Sequence, residues 1–157
     1  MSPVRRTNGL CRQTGDTSRR PVKRSRRRSD TGGVARIVLV CDNEEALRAL
    51  VRAALEPSGC EIVEACDGDE SLELARSLEP ALIVLDLMMP GRSGLHVLDE
   101  LRREQRFETT PVIVLSARAQ VVDREAVAGA GATSFMAKPF SPRELYAEVT
   151  NLLGADA

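Results

Sequence analysis

Five apolar residues, Ala81 to Leu85, run unbroken into a carboxylate, Asp86, and then into a Pro90-Gly91 turn signal. A short run of this kind, with β-branched residues and no polar alternation, reads as a strand buried on both faces, which requires a sheet covered by helices on each side. Asp86 then stands at the carboxyl edge of that strand, and in open parallel sheets this edge is where ligands bind. Taken alone, an aspartate at a strand end is equally a turn former. What else reaches the same edge decides between the two.

The rest of the chain repeats the pattern. Residues 36–40 form a second continuous apolar strand, ending on Cys41, Asp42, Asn43 and Glu44. A helix follows with an acidic first turn and apolar positions at Leu47, Leu50, Val51, Ala54 and Leu55, stopped by Pro57-Ser58-Gly59. Residues 60–66 read as a strand nearer a sheet edge, because Glu61 and Glu64 interrupt it. Asp67-Gly68 makes a turn, and Asp69 is the expected cap of a helix bearing Leu72, Leu74, Ala75 and Leu78. After the strand that ends at Asp86, Gly94 opens a helix whose apolar residues are Leu95, Leu98 and Leu101, with His96, Asp99 and Glu100 on the wet side. The strand 111–115 leads to Ser116, a weaker helix spans about 121–128, and the short strand 134–137 ends on Lys138-Pro139. Ser141 to Glu144 has the pattern of a capping box for a last helix carrying Leu145, Val149, Leu152 and Leu153. Five strands alternating with five helices predict an α/β fold with a parallel sheet covered on both faces.

Charge divides the chain in two. Residues 1–33 hold ten basic residues and two acidic ones, a net of +8, which leaves 12 basic and 21 acidic residues and a net of −9 for residues 34–157. The leading segment lacks apolar periodicity and is expected to be disordered. Its basic residues between positions 5 and 28 could neutralise nucleic-acid phosphates, without aromatic residues for stacking. An equal alternative is that translation starts near Val34 and this lead is not part of the native protein. The chain of 157 residues suits one domain, here 34–157. No stretch is long and apolar enough for a membrane span or a secretory signal, so a cytoplasmic location is expected. The four cysteines lack paired metal-ligand spacing, and Cys60 and Cys66 read as small apolar residues.

Right-handed crossovers bring all five carboxyl ends to one side of the sheet. Four of them carry polar groups: Asp42, Asp86, Ser116 and Lys138. Two neighbouring carboxylates repel unless a cation joins them, and hard oxygen ligands suit Mg²⁺, which also binds phosphoryl groups. Lys138 adds a mobile positive charge, and Ser116 a hydroxyl able to donate to a phosphoryl oxygen.

This constellation resembles the receiver domain of two-component response regulators, on the motifs Val40 to Glu44, Asp86 to Gly94, Ser116-Ala117-Arg118 and Gly131 to Phe140. The resemblance covers residues 35–153 and implies a flavodoxin-like, doubly wound sheet of order 2-1-3-4-5. It implies that Asp86 accepts a phosphoryl group from the phosphohistidine of a histidine kinase or phosphotransfer protein. Mg²⁺ would be held by Asp42, Asp86 and the main-chain carbonyl of Met88. Ser116 and Phe135 would be the switch residues, Lys138 would pair with phosphoryl oxygens, and the Lys138-Pro139 peptide would be cis. The chain would be a phosphoacceptor switch rather than an enzyme acting on other substrates, catalysing only its own phosphoryl transfer and loss. Because the sequence stops just after the last helix, a stand-alone receiver signalling by protein contact to an unknown target is expected.

Departures from the family pattern are also visible. Receivers usually carry two acidic residues after the first strand, and Cys41 is read as replacing the first, weakening Mg²⁺ binding. Neighbouring negative charge should keep that thiol protonated. Met88 and Arg118 occupy positions that tune phosphoryl loss; Met88 cannot orient a water, so a long-lived phosphorylated state is expected. An alternative is a pseudo-receiver that binds partners without phosphorylation. An aspartate-nucleophile phosphatase would want an acid at position 88, and a flavin-binding domain would not place Asp42 to Glu45 where a phosphate must sit.

Overall fold

A computed structural model describes residues 36–117 and 124–154. Five strands alternate with five helices: β1 (Ile37–Cys41), α1 (Glu45–Leu55), β2 (Glu61–Ala65), α2 (Gly68–Leu78), β3 (Leu82–Asp86), α3 (Gly94–Arg103), β4 (Val112–Ser116), α4 (Arg124–Gly129), β5 (Ser134–Ala137) and α5 (Pro142–Leu153). Single 3₁₀ turns, Glu56–Ser58 and Gln105–Phe107, follow α1 and α3. The strands form one parallel sheet in the order β2-β1-β3-β4-β5, as the alternation of elements predicts. The basic lead, Arg118 and the first part of the helix expected over 121–128 lie outside the described residues.

The central strands are buried because they carry almost nothing but aliphatic side chains: every residue of β3 and β4 is buried. Alternate residues supply two cores. Val38, Val40, Val84, Ile113 and Leu115 pack with Val51, Leu55, Leu145 and Val149 of α1 and α5. Leu39, Cys41, Ile83, Leu85, Val112 and Val114 pack with α2, α3 and Phe107 on the other face. β2 lies at the edge, and its two glutamates are partly exposed.

Several local expectations need correcting. The cap of α2 is Asp67, whose side chain accepts from the Glu70 N–H at 2.7 Å; Asp69 is inside the first turn and pairs with Arg92 at 2.6 Å. Ser141 precedes Pro142 at the start of α5 but makes no side-chain capping bond. Leu50 and Leu95 are exposed, 41% and 39%. Their places facing the sheet are taken by Arg48 and Val97, which are buried. The phase of each helix is otherwise as expected, with Val51, Leu55, Leu98 and Leu101 buried; the spacing of apolar residues does not exclude one exposed leucine at the border of the stripe.

Candidate functional site

The order of the sheet sets the position of the site. The chain runs outward from β1 to β2, then crosses to β3 on the other side of β1, so the connections leaving β1 and β3 diverge and open a crevice at their carboxyl ends. Asp42 follows β1 and Asp86 ends β3, strands that pair directly. Both acids are buried, 1% and 2% exposed. Ser116 ends β4 and is fully buried, and its main-chain carbonyl accepts from the Lys138 N–H at 2.8 Å. That bond anchors the base of Lys138 at the end of β5. Its ammonium then spans the edge to lie 3.0 Å from Asp42 Oδ2 and 3.3 Å from Asp86 Oδ2. The Lys138-Pro139 peptide is cis, as the resemblance implies.

Each carboxylate is aimed by its own loop. Asp42 Oδ1 accepts from the Glu44 N–H at 2.8 Å, and Asp86 Oδ1 accepts from the Met88 N–H at 3.1 Å. In both cases the bond goes to the residue two positions on, a turn that leaves Oδ2 directed into the crevice. Gly94 makes this possible on the β3 side: a Cβ there would stand 2.2 Å from the Asp86 carbonyl oxygen and 2.7 Å from Leu87 Cα. Its N–H donates to the Leu87 carbonyl at 3.1 Å. The loop after Asp86 therefore folds back onto the helix that follows it.

The electrostatics are unbalanced toward negative charge, with two buried carboxylates against one ammonium. Burial holds the Asp86 carboxyl above its ordinary range; the Met88 N–H pulls it back, Asp42 adds to the rise, and Lys138 opposes it. A pocket with an excess carboxylate and only hard oxygen donors besides one lysine fits Mg²⁺ better than a soft metal. Lys138 already bridges the two acids, which shows that a single cationic centre reaches both.

Cys41 does not belong to this pocket. It is the last residue of β1, and strand alternation turns it into the core with Leu39, beside α2. Burial, more than neighbouring charge, pushes its thiol up to about 12; a hydrogen bond with Ser71 lowers it, and Glu70 and Asp42 raise it further. The two positions that follow the strand are Asp42 and Asn43, the second exposed. The acid that the family pattern leads one to expect at Cys41 is thus replaced by a buried thiol, and Asp42 is left as the carboxylate that follows the strand.

Of the remaining expected residues, Met88 is 51% exposed at the rim, and Phe135 is partly buried, packed on the core that holds α2 and α3. Arg118 lies outside the described residues. One buried residue at the site went unnoticed in the sequence: Arg48, whose Nη1 donates to the Asp42 carbonyl at 2.8 Å. Away from the pocket, Cys66, Asp67 and Glu70 cluster at the start of α2, where the Cys66 main-chain N–H and thiol both donate to Glu70 Oε2, at 3.0 and 2.9 Å. Those bonds belong to the entry of the helix.

A doubly wound sheet with two acids, a hydroxyl and a lysine on its carboxyl edge defines the receiver class. Residues 38–150 match the family model described as response regulator receiver domain, and the chain belongs to that family. Among curated relatives it is 39% identical over 116 residues to the alkaline phosphatase synthesis transcriptional regulatory protein PhoP of Bacillus subtilis, a match that covers 74% of this chain and 48% of that one. It is likewise 39% identical over 116 residues to the phosphate regulon transcriptional regulatory protein PhoB of Escherichia coli, covering 51% of it. The chain thus spans about half the length of these curated relatives. Among solved structures, a Francisella response regulator receiver domain superposes with a TM-score of 0.69 at 33% identity, covering 75% of this chain and 96% of that one. The chemotaxis response regulator CheY4 of Vibrio cholerae does so with a TM-score of 0.70 at 26% identity, covering 76% and 99%. No helix among the described residues is long and apolar enough to cross a membrane.

Proposed function

We propose that this chain is a phosphorylation-dependent switch in which Asp86 takes a phosphoryl group from the phosphohistidine of a histidine kinase or phosphotransfer protein. The observation that carries this reading is the bridging of Asp42 and Asp86 by Lys138, 3.0 and 3.3 Å away. In the transfer, an Asp86 Oδ attacks phosphorus in line and forms an O–P bond. The N–P bond of the donor breaks, and its electron pair returns to the imidazole, which takes up a proton. Little covalent chemistry is asked of the protein beyond placement and charge. Asp42, Asp86 and the Met88 carbonyl are the ligands proposed for Mg²⁺, which when bound offsets charge on the transferring phosphoryl oxygens. With Cys41 in place of the first acid of the family pattern the site holds one carboxylate fewer, and weaker Mg²⁺ binding is expected.

Lys138 is the group best placed to follow the added charge. Once the single charge of the Asp86 carboxylate is replaced by the about two negative charges of a phosphoryl group set farther out, the ammonium is drawn from its shared position toward the phosphoryl oxygens, and the Ser116 hydroxyl donates to one of them. Because the Lys138 N–H is bonded to the Ser116 carbonyl, both motions act on the ends of β4 and β5. The shift in population is read at the surface of α4, β5 and α5 by a protein partner. Exposed Met88 offers no hydrogen bond to an attacking water, which supports slow loss of the phosphoryl group.

Phosphate transfer from a panel of histidine kinases to the wild-type chain and to Asp86→Ala, resolved on a phosphate-affinity gel, tests the proposal. At least one kinase is expected to shift the wild type and none the variant. Equal labelling of both would remove Asp86 from its role, and labelling of neither would favour a module that binds partners without phosphorylation.

A further inference from the structure

Arg48 is a charged side chain on α1 with only 6% of its surface exposed. Charge neutralisation alone does not account for its position. Its carboxylate neighbour, Glu64 of β2, already pairs with Arg52 at 2.8 Å and lies 3.5 Å from Arg48 Nε. The shorter contact of Arg48 is the bond from Nη1 to the main-chain carbonyl of Asp42, 2.8 Å.

That bond completes the fixing of Asp42. Its N–H donates to the Ala65 carbonyl on β2 at 3.1 Å, and its Oδ1 accepts from the Glu44 N–H at 2.8 Å. With the amide, the carbonyl and one carboxylate oxygen all held, the free oxygen is left facing Lys138 and, beyond it, Asp86. Glu64 in turn braces Arg48 from behind, 3.5 Å from its Nε, so the support runs from the edge strand through α1 to the acid.

We propose that Arg48 is a positioning residue for the divalent ion: through the Asp42 carbonyl it sets the separation of the two carboxylates at which one cation binds both. The inference rests on the reading of the pocket as a Mg²⁺ site. Groups that orient a metal ligand typically change metal affinity by about 10- to 100-fold when removed, without touching the metal.

The test is Mg²⁺ titration of the isotopically labelled full chain, followed by amide NMR shifts, for wild type, Arg48→Met, Arg48→Gln and Arg52→Met. Arg52→Met is the control, since Arg52 shares Glu64 but has no bond to Asp42. Arg48→Met is expected to weaken Mg²⁺ binding about tenfold, and Arg52→Met to leave it unchanged. Arg48→Gln, whose amide falls short of the carbonyl, is expected to follow Arg48→Met and keeps the test decisive if that variant does not fold. Folded Arg48 variants with wild-type affinity, or an equal loss in Arg52→Met, would overturn the inference while the Mg²⁺ site stands. A wild type that takes up no Mg²⁺ would overturn the reading of the pocket and the inference with it.

Discussion

Gly94→Ala is expected to destabilise the fold by about 3 kcal/mol, the upper part of the range for overpacking a filled interior. The added methyl would be 2.2 Å from the Asp86 carbonyl oxygen, 2.7 Å from Leu87 Cα and 2.9 Å from the Asp86 carbonyl carbon. All three are backbone atoms, so no side chain can swing aside; either β3 or the start of α3 must move. The gain in helix propensity of alanine over glycine, about 1 kcal/mol in a helix interior, is smaller at the first helical residue and does not offset this. The displacement would fall on the residue that carries the proposed nucleophile, so phosphoryl acceptance should fall with stability. Gly129→Ala is the matched comparison: it lies in α4 with nothing within 4 Å of the new Cβ. It is expected to be neutral or stabilising by up to about 1 kcal/mol. Urea denaturation measures both, and a Gly94→Ala protein within about 0.5 kcal/mol of wild type, the range of an ordinary surface change, would contradict the packing described.

Asp86→Asn is expected to do the opposite to stability while abolishing phosphoryl acceptance. A buried carboxyl whose pKa is raised in the folded state binds its proton more tightly there than in the unfolded chain, so its ionised form opposes folding. The neutral, isosteric amide removes that opposition, and Lys138 keeps Asp42 as its partner. At neutral pH a gain on the order of 1 kcal/mol is expected, the size common when a functional residue is traded for stability. The sign fixes the pH dependence. Below the ordinary aspartate pKa of 3.8 the carboxyl is protonated in both states and the gain is absent; it develops as pH rises through the elevated folded-state value and is full above it. Denaturation of both proteins across that window checks this, and a gain that persists unchanged in acid would assign it to something other than ionisation.

The sequence made the fold legible because its strands are nearly pure aliphatic runs and each ends on a polar residue. Asp42, Asp86, Ser116 and Lys138 could be picked out from strand ends alone; the two acids and the ammonium meet in the crevice, and the main chain of Ser116 anchors Lys138 beside it. What stayed hidden depends on which way a side chain points. A strand buried on both faces has no alternation to reveal its phase, so Cys41 read as a pocket residue when it faces the core. Arg48 went unnoticed because nothing in the spacing of α1 shows that a guanidinium has a carbonyl and Glu64 waiting for it. The closeness of Gly94 to the Asp86 backbone is equally a matter of three dimensions; in the sequence it marks only the start of a helix.

The most direct measurement of the central claim is mass spectrometry of the chain after incubation with a small phosphoryl donor such as acetyl phosphate, with Mg²⁺ and with Mg²⁺ chelated. One phosphoryl group on the peptide that contains Asp86, removable by hydroxylamine as an acyl phosphate and absent without Mg²⁺, is the predicted result. A phosphoryl group on another residue, or none at Asp86 while Mg²⁺ is demonstrably bound, would contradict the account.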